Sequence, residues 1–419
     1  MPDHNSTPVE LAEHARPTGP GLRDVWSRAL IRRLERVTQG RLTLIAPDRS
    51  VQCFGRPAAE PAASVAIHDP RVARNLVLGG SIGFAEAYMD GVWDSPDIVA
   101  LIGFAIANER ALGLDADGHI ALRLIERVRH VLHRNSRRGS RYNIAYHYDL
   151  GNAFYAAWLD RGMTYSAAMF AAPDESLETA QARKYHEVAA LLELAPGQSL
   201  LEIGCGWGGF AELAAGDYRC KVTGLTLSRT QRDYAQDRLV RQELGARAAI
   251  TLADYRDAAG SYDRIASIEM IEAVGEKHWP VYFARLRRLL APGGIAVLQA
   301  ITIADERFES YRRCPDFIQR HIFPGGMLPS RATLHRAAAA AGLALVEGVR
   351  FGQSYAHTLA LWQQRFQAAW PRIAALGFDR RFKRMWEYYL AYCEAGFRTG
   401  TLDVALYRFE HAVSGRSPV

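Results

Sequence analysis

Cysteine is scarce in this chain: five in 419 residues, at Cys53, Cys205, Cys220, Cys314 and Cys393. The number is odd and no two stand at the close spacing of a metal-binding pair. A disulfide frame is therefore excluded, reduced thiols are expected, and no metal site is expected. Long apolar runs are also missing. Val99–Ala107 is the longest obvious one, far short of the roughly 18 residues of a membrane-spanning helix. The opening Met1-Pro-Asp-His-Asn-Ser-Thr7 lacks an apolar secretory core, so residence in the cytosol is expected. Charge of one sign is not extreme either. The formal balance of +6 is compatible with an anionic surface but is shared by many ordinary enzymes. No internal repeat is evident.

What is present is organised around Leu200-Leu-Glu-Ile-Gly-Cys-Gly-Trp-Gly-Gly-Phe210. Leu200, Leu201 and Ile203 form a short apolar run suited to a buried parallel strand. Glycines crowd the turn at Gly204, Gly206, Gly208 and Gly209, and Phe210–Ala215 reads as the following helix. A strand that ends in glycines before a helix lets the backbone approach a ligand, because no Cβ stands in the way. The Gly-x-Gly pattern alone fits a nucleotide-like ligand and a tight packing turn.

Residues 1–21, rich in Pro, Ser and His, are expected to be a disordered tail. A first domain, 22–119, combines a strand at Gly40–Asp48 and a hairpin partner at Ser50–Gly55 with helical pieces around Pro70–Leu78 and Ile98–Ala111. Between them Gly79–Trp93 is punctuated by glycine and aromatics. No cluster of acid, base or nucleophile occurs here, so the domain reads as a lipid-binding or assembly module. Residues 120–141 carry Arg123, Arg127, Arg129, Arg134, Arg137, Arg138 and Arg141 against Glu126, with Leu122, Ile125, Val128, Val131 and Leu132 at helical spacing. That pattern fits a basic amphipathic helix and equally a solvated linker.

From 142 to 419 strand and helix alternate. Strands are expected at Ser199–Ile203, Lys221–Leu225, Ala248–Leu252, Asp263–Glu269 and Ile295–Ile301, the last after a turn at Ala291–Gly294. Helices are expected at Lys184–Leu194, Ser228–Leu244 and Trp279–Leu290. The alternation predicts an α/β doubly wound parallel sheet, with ligands at the carboxyl ends of the strands.

Five motifs then occur in order: Tyr146-His-Tyr-Asp-Leu150, Met163-Thr-Tyr-Ser166, Leu201–Gly209, Val222-Thr-Gly-Leu-Thr-Leu-Ser228 and Phe317–Gly326. Together they resemble the cyclopropane-fatty-acyl-phospholipid synthase family, and Gly79–Trp93 extends the similarity into the first domain. The resemblance implies a Rossmann-like class I S-adenosylmethionine (SAM) methyltransferase in 142–419, with a smaller α+β N-terminal domain. It implies SAM as cofactor, held by Tyr165 and Ser166 at the methionine end, Gly204 and Gly206 in the turn, Thr226, Leu227 and Gln231 near the ribose, Tyr255 over the adenine, and Ile268. Ser228 has a competing reading as a helix cap. The implied substrate is the double bond of unsaturated acyl chains in membrane phospholipid, at the inner membrane face. The expected location is thus cytoplasmic and peripheral, with a homodimer and no nucleic acid.

In that family the base is a bicarbonate held by a Cys, a Glu, a His and a Tyr. The Glu maps to Glu272, the Tyr to Tyr355, and a further family cysteine to Cys393. The bicarbonate Cys is replaced by Ala167 and the His by Gln299, and Glu269 stands where the family usually has Gly. The hypothesis that follows is that the Glu269 carboxylate occupies the anion position and serves as a built-in base. Burial would raise its pKa and the sulfonium would lower it. A cyclopropane is the family product; the altered anion site brings in a methylene or methyl branch as a competitor. RNA or protein N-methylation is disfavoured, since no Pro-Pro-aromatic motif follows the fourth expected strand. A non-catalytic lipid-binding protein is the rival of another kind. The long segment Ile303–Ser330 mixes Phe317, Ile318, Ile322, Phe323, Met327 and Leu328 with Arg312, Arg313, Arg320 and His321, a pattern suited to a lid over lipid or to a helical cap.

Overall fold

The structure, a computed structural model, describes residues 22, 24–57, 59–113 and 150–412. The expected tail, the basic stretch 120–141 and nearly all of the first motif lie outside the described residues. Two compact units divide the chain, and they interleave in sequence.

The first unit takes the described part of Met1–Arg129 with Ser310–Arg320 and Trp370–Thr399. Its four strands, β1 (Arg41–Ile45), β2 (Val51–Gly55), β3 (Ala62–Ile67) and β4 (Trp93–Asp94), lie in the order β2-β1-β3-β4. The expected hairpin is β1–β2, in antiparallel register. The glycine-punctuated stretch does interrupt the helical run: Arg71–Met89 is two helices meeting at a kink, where Gly80 leaves helical backbone with a φ of +58°. Helix Arg380–Arg398, far along the chain, packs in this unit by burying Trp386, Tyr388, Tyr389 and Leu390. Its Arg384 stacks 3.8 Å over the Tyr88 ring and donates 2.7 Å to the Trp93 carbonyl. A guanidinium with that many partners is tolerated in a core.

The second unit takes the described parts of His130–Glu309, His321–Ala369 and Gly400–Val419. Its seven strands are β5 (Ser199–Ile203), β6 (Lys221–Thr226), β7 (Ala248–Leu252), β8 (Tyr262–Ile268), β9 (Leu290–Ile303), β10 (Leu343–Arg350) and β11 (Leu402–His411), ordered β10-β11-β9-β8-β5-β6-β7. β5 to β9 are parallel, as expected, and β11 and β10 close one edge as an antiparallel pair. The expected turn at Ala291–Gly294 is instead taken into β9, where the register slips and Gly293 adopts a φ of +72°. The strand order reverses between β5 and β8, and such a reversal opens a crevice at the carboxyl ends. The glycine turn leaves β5 there, and Glu269 leaves β8. The segment Ile303–Ser330, whose middle part Ser310–Arg320 belongs to the first unit, holds two short helices, Asp305–Tyr311 and Phe317–His321. No described helix is long and apolar enough to cross a membrane.

Candidate active site

The turn after β5 is built from left-handed backbone: φ is +83° at Gly204, +52° at Gly206 and +82° at Gly208. The amides of Gly204 and Cys205 both donate 2.9 Å to the Leu225 carbonyl, which ties the turn to β6. A Cβ placed on Gly206 would meet nothing within 4 Å, so the backbone borders open space where a cofactor is expected. After β6, Thr226 Oγ1 donates to Gln231 Oε1 at 2.8 Å, and the Ser228 hydroxyl accepts from the Gln231 amide at 3.3 Å. Ser228 therefore caps the helix Arg229–Arg241, and Thr226 fixes the buried Gln231 carboxamide. Leu227 lies between them. Tyr255, following β7, meets the Tyr282 ring edge-on at 5.3 Å, and Arg256, anchored by Asp254 at 2.6 Å, sits 5.7 Å from its centroid. Ile268 ends β8 in register with Gln299.

β8 ends at Ile268, one position before its expected end, so Glu269 is the first residue beyond it, and its φ is +49°. A left-handed non-glycine residue costs about 1–2 kcal/mol, and strain of this kind gathers at functional sites. Its carboxylate accepts three hydrogen bonds. Oε1 takes the Ala167 amide at 2.8 Å and Gln299 Nε2 at 2.7 Å; Oε2 takes the Tyr355 hydroxyl at 2.7 Å. The backbone N–H of Glu269 donates 2.8 Å to the Gln299 carbonyl, locking the pair. Burial pushes the Glu269 pKa up, while the Ala167 amide, Tyr355, Lys184 and Gln299 pull it back. The two positions that looked like lost anion ligands both donate to this carboxylate. Ala167 does so through its backbone, a donor no side-chain motif reveals.

An aromatic wall runs from the glycine turn to the carboxylate. Trp207 packs on Tyr155 at 5.0 Å, Tyr155 on Tyr165 at 5.4 Å, Tyr165 on Trp362 at 5.4 Å, and Trp362 on Tyr355 at 6.1 Å. Ring faces of this kind attract a cation by their quadrupole. Trp362 and Lys184, which hydrogen-bonds Ser166, were not anticipated from the sequence. Cys393 lies on the helix Arg380–Arg398 of the other unit and is partly exposed.

Glu272 does not bond to Glu269. Its Oε1 accepts from the Ile301 amide at 2.6 Å, and its buried Oε2 has no partner among the described residues. Burial, then the Glu269 charge, raises its pKa from 4.5 to about 8. Because the folded value lies above the unfolded one, the unfolded chain gives up its proton first, and stability falls as pH rises between these two values. Glu272→Gln keeps the acceptor and removes the ionisation. The variant is expected to melt on the order of 5 °C above the parent at pH 8, with the gap closing near pH 4.5. Thermal melts at the two pH values check this; an equal gap at both would refute it.

The fold and this site define a SAM-dependent methyltransferase of the Rossmann-like class I type. The chain belongs to the mycolic acid cyclopropane synthetase family, whose model matches residues 135–407. It is 41% identical over 390 residues to tuberculostearic acid methyltransferase UfaA1 of Mycobacterium tuberculosis, covering 90% of each chain. It is 34% identical over 351 residues to cyclopropane-fatty-acyl-phospholipid synthase of Escherichia coli, covering 84% of this chain and 88% of that one. Among solved structures, mycolic acid cyclopropane synthase CmaA1 complexed with SAH and CTAB aligns with a TM-score of 0.61 at 33% identity, over 64% of this chain and 97% of that one.

Proposed function

We propose that the chain transfers a methyl group from SAM to a double-bond carbon of unsaturated acyl chains in phospholipid, working at a membrane surface, with Glu269 as the base. The observation that carries this reading is the buried Glu269 carboxylate, held by three donors in a strained backbone position. Tyr165, Ser166, Gly204, Gly206, Thr226, Leu227, Gln231, Tyr255 and Ile268 are the residues that would hold the cofactor. The open space at Gly206 fits that role. Bound SAM supplies an electrophilic methyl group, whose capture by the alkene leaves a positive charge on the neighbouring acyl carbon.

The chain's own residues do the rest. The Tyr155–Tyr165–Trp362 rings offer their faces to the cation and exclude water that would quench it. Glu269 accepts a proton, and its donors keep the carboxylate aimed at one place. Its raised pKa makes it a stronger base than an exposed glutamate. Removal of a proton from the added carbon closes a cyclopropane, the first reading of the product. A methylene branch is the second: a 1,2-hydride shift moves the charge onto the methylated carbon, and a proton then lost from the added carbon leaves a C=CH₂ branch. It is favoured by the replacement of two anion ligands by Ala167 and Gln299, and by the similarity to a relative named as a methyltransferase rather than a cyclopropane synthase.

Incubation with SAM and vesicles of monounsaturated phospholipid, followed by mass spectrometry of the lipids, tests the reading. A gain of one CH₂ unit is expected. Mild hydrogenation then separates the products, since a methylene takes up hydrogen and a ring does not. An unchanged lipid mass overturns the proposal.

A further inference from the structure

Two buried oxygens near the Glu269 carboxylate lack a hydrogen-bond donor. One is Glu272 Oε2 and the other is Gln299 Oε1, and neither has a partner among the described residues. Their placement follows from the way β8 stops. The Glu269 amide still donates to the Gln299 carbonyl, the last rung of the β8–β9 ladder, and then the left-handed φ of Glu269 turns the chain away. In a parallel ladder the next donor on β9 is the Ile301 amide, two residues on and pointing to the same side. With β8 gone, that amide donates to Glu272 Oε1 at 2.6 Å instead. The Glu272 carboxyl therefore occupies the rung immediately beyond the Glu269–Gln299 pair. The Gln299 side chain is buried and reaches Glu269 through Nε2 at 2.7 Å, which leaves its Oε1 unpaired among the described residues.

Buried oxygens of this kind need a hydrogen, and leaving them without one is costly. An ionised Glu272 cannot supply it, because both oxygens would then be acceptors only. It would also set a second negative charge near Glu269, which neighbouring carboxyls resist. A protonated Glu272 satisfies both oxygens at once. Its O–H donates toward Gln299 Oε1, directly or through one water, and the carboxamide is thereby held with its NH₂ toward Glu269. Burial, then the Glu269 charge, raises the Glu272 pKa to about 8 and keeps that proton on at neutral pH. Ionisation reverses the preference. The Gln299 NH₂ is then drawn toward Glu272, its oxygen turns toward Glu269, and the Glu269 carboxylate loses a donor.

We propose that Glu272 is a positioning residue that acts through Gln299: its protonated carboxyl orients the Gln299 carboxamide, and the carboxamide in turn holds Glu269 as the ionised member of the pair. This role presupposes Glu269 as the base. The other charged or titratable groups facing the two carboxyls, among the described residues, are Lys184 on Leu177–Leu191, Tyr282 on Trp279–Leu289 and Tyr355 on Gly352–Ala374. Burial pushes the Tyr282 hydroxyl up, so it stays neutral. Burial lowers the Lys184 pKa to about 8, so it titrates in the same range, but in the parent and in Glu272 variants alike.

The test compares single-turnover rates of the full-length protein and of Glu272→Gln across pH, with SAM and vesicles of monounsaturated phospholipid. Glutamine keeps an oxygen for the Ile301 amide and an NH₂ for Gln299 Oε1, and it never ionises. From about pH 7 to about pH 9.5 the parent's rate is expected to fall about 10-fold further than the variant's, the effect of one hydrogen bond to a charged group. In a Gln299→Leu background the same substitution is expected to leave the profile unmoved, because Glu272 acts through that side chain. A second readout needs no lipid. Part of the infrared C=O absorption of buried protonated carboxyls at about pH 7 is expected to vanish in Glu272→Gln and to survive in Glu269→Gln, with Glu202, raised by burial to about 8, as a constant background. Parallel pH profiles for the parent and Glu272→Gln, or an infrared loss in Glu269→Gln and none in Glu272→Gln, overturn the proposal. Should Gln299→Leu fail to fold, those two arms decide. The infrared band is read on the resting protein, so an unchanged lipid mass, which sinks the base, is a separate result from a proton found off Glu272.

Discussion

Glu269→Gln is expected to lower the methylation rate by about a thousand-fold while leaving S-adenosylhomocysteine affinity within about 2-fold of the parent. The substitution changes little besides basicity. The amide oxygen can still accept from the Ala167 N–H and from Gln299, and the new NH₂ can donate to the Tyr355 hydroxyl, which accepts as well as donates. What the amide cannot do is take a proton from the acyl carbon. Glu269→Gly makes the complementary variant. Glycine accepts the +49° φ without strain, and the Ala167 amide, Gln299 and Tyr355 are left around the space of a small anion. Added bicarbonate is expected to restore part of the lost rate in Glu269→Gly and to leave the parent unchanged. Single-turnover rates with and without bicarbonate check both arms. A near-parental rate for Glu269→Gln, or an absolute bicarbonate requirement in the parent, would remove Glu269 from the chemistry.

The parts of this arrangement that were readable from sequence are those set by local pattern. β5 and its turn announce themselves because a buried parallel strand is an apolar run and left-handed turns need glycine. Glu269 could be singled out as a departure from a family pattern. Its left-handed φ explains why glycine is the usual occupant. The fate of Ala167 was not readable, because a backbone amide belongs to every residue type. Lys184 was hidden for another reason: on a helix that also carries Arg183 and Glu187, only the packing of the Thr164–Ser166 segment above it decides that it is buried. The edge strands β10 and β11 are not legible in the sequence although Val404, Leu406 and Tyr407 are buried, since β11 pairs with β9, about a hundred residues earlier, and β10 pairs only with β11. Helix Arg380–Arg398 was likewise assigned by sequence position to 142–419, whereas its contacts with Arg71–Met89 and Ile98–Ala107 group it with the first unit.

The glycine turn provides the second large effect, because two of its glycines differ in what surrounds them. A Cβ on Gly208 would fall 2.9 Å from the Ala235 Cβ and 3.3 Å from its Cα, on a helix that cannot yield without moving as a whole. With a φ of +82° in addition, Gly208→Ala is expected to destabilise the fold by about 3 kcal/mol, read as a lower urea midpoint. Gly206 meets no protein atom within 4 Å, so Gly206→Ala carries only the left-handed penalty of about 1–2 kcal/mol. The space its methyl enters is the cofactor's, and crowding there is expected to weaken S-adenosylhomocysteine about 10- to 100-fold. One glycine therefore reports on stability and its neighbour two positions away on binding. If Gly206→Ala binds S-adenosylhomocysteine as the parent does, the cofactor does not pass over this turn, and the assignment of Gly204 and Gly206 falls with it.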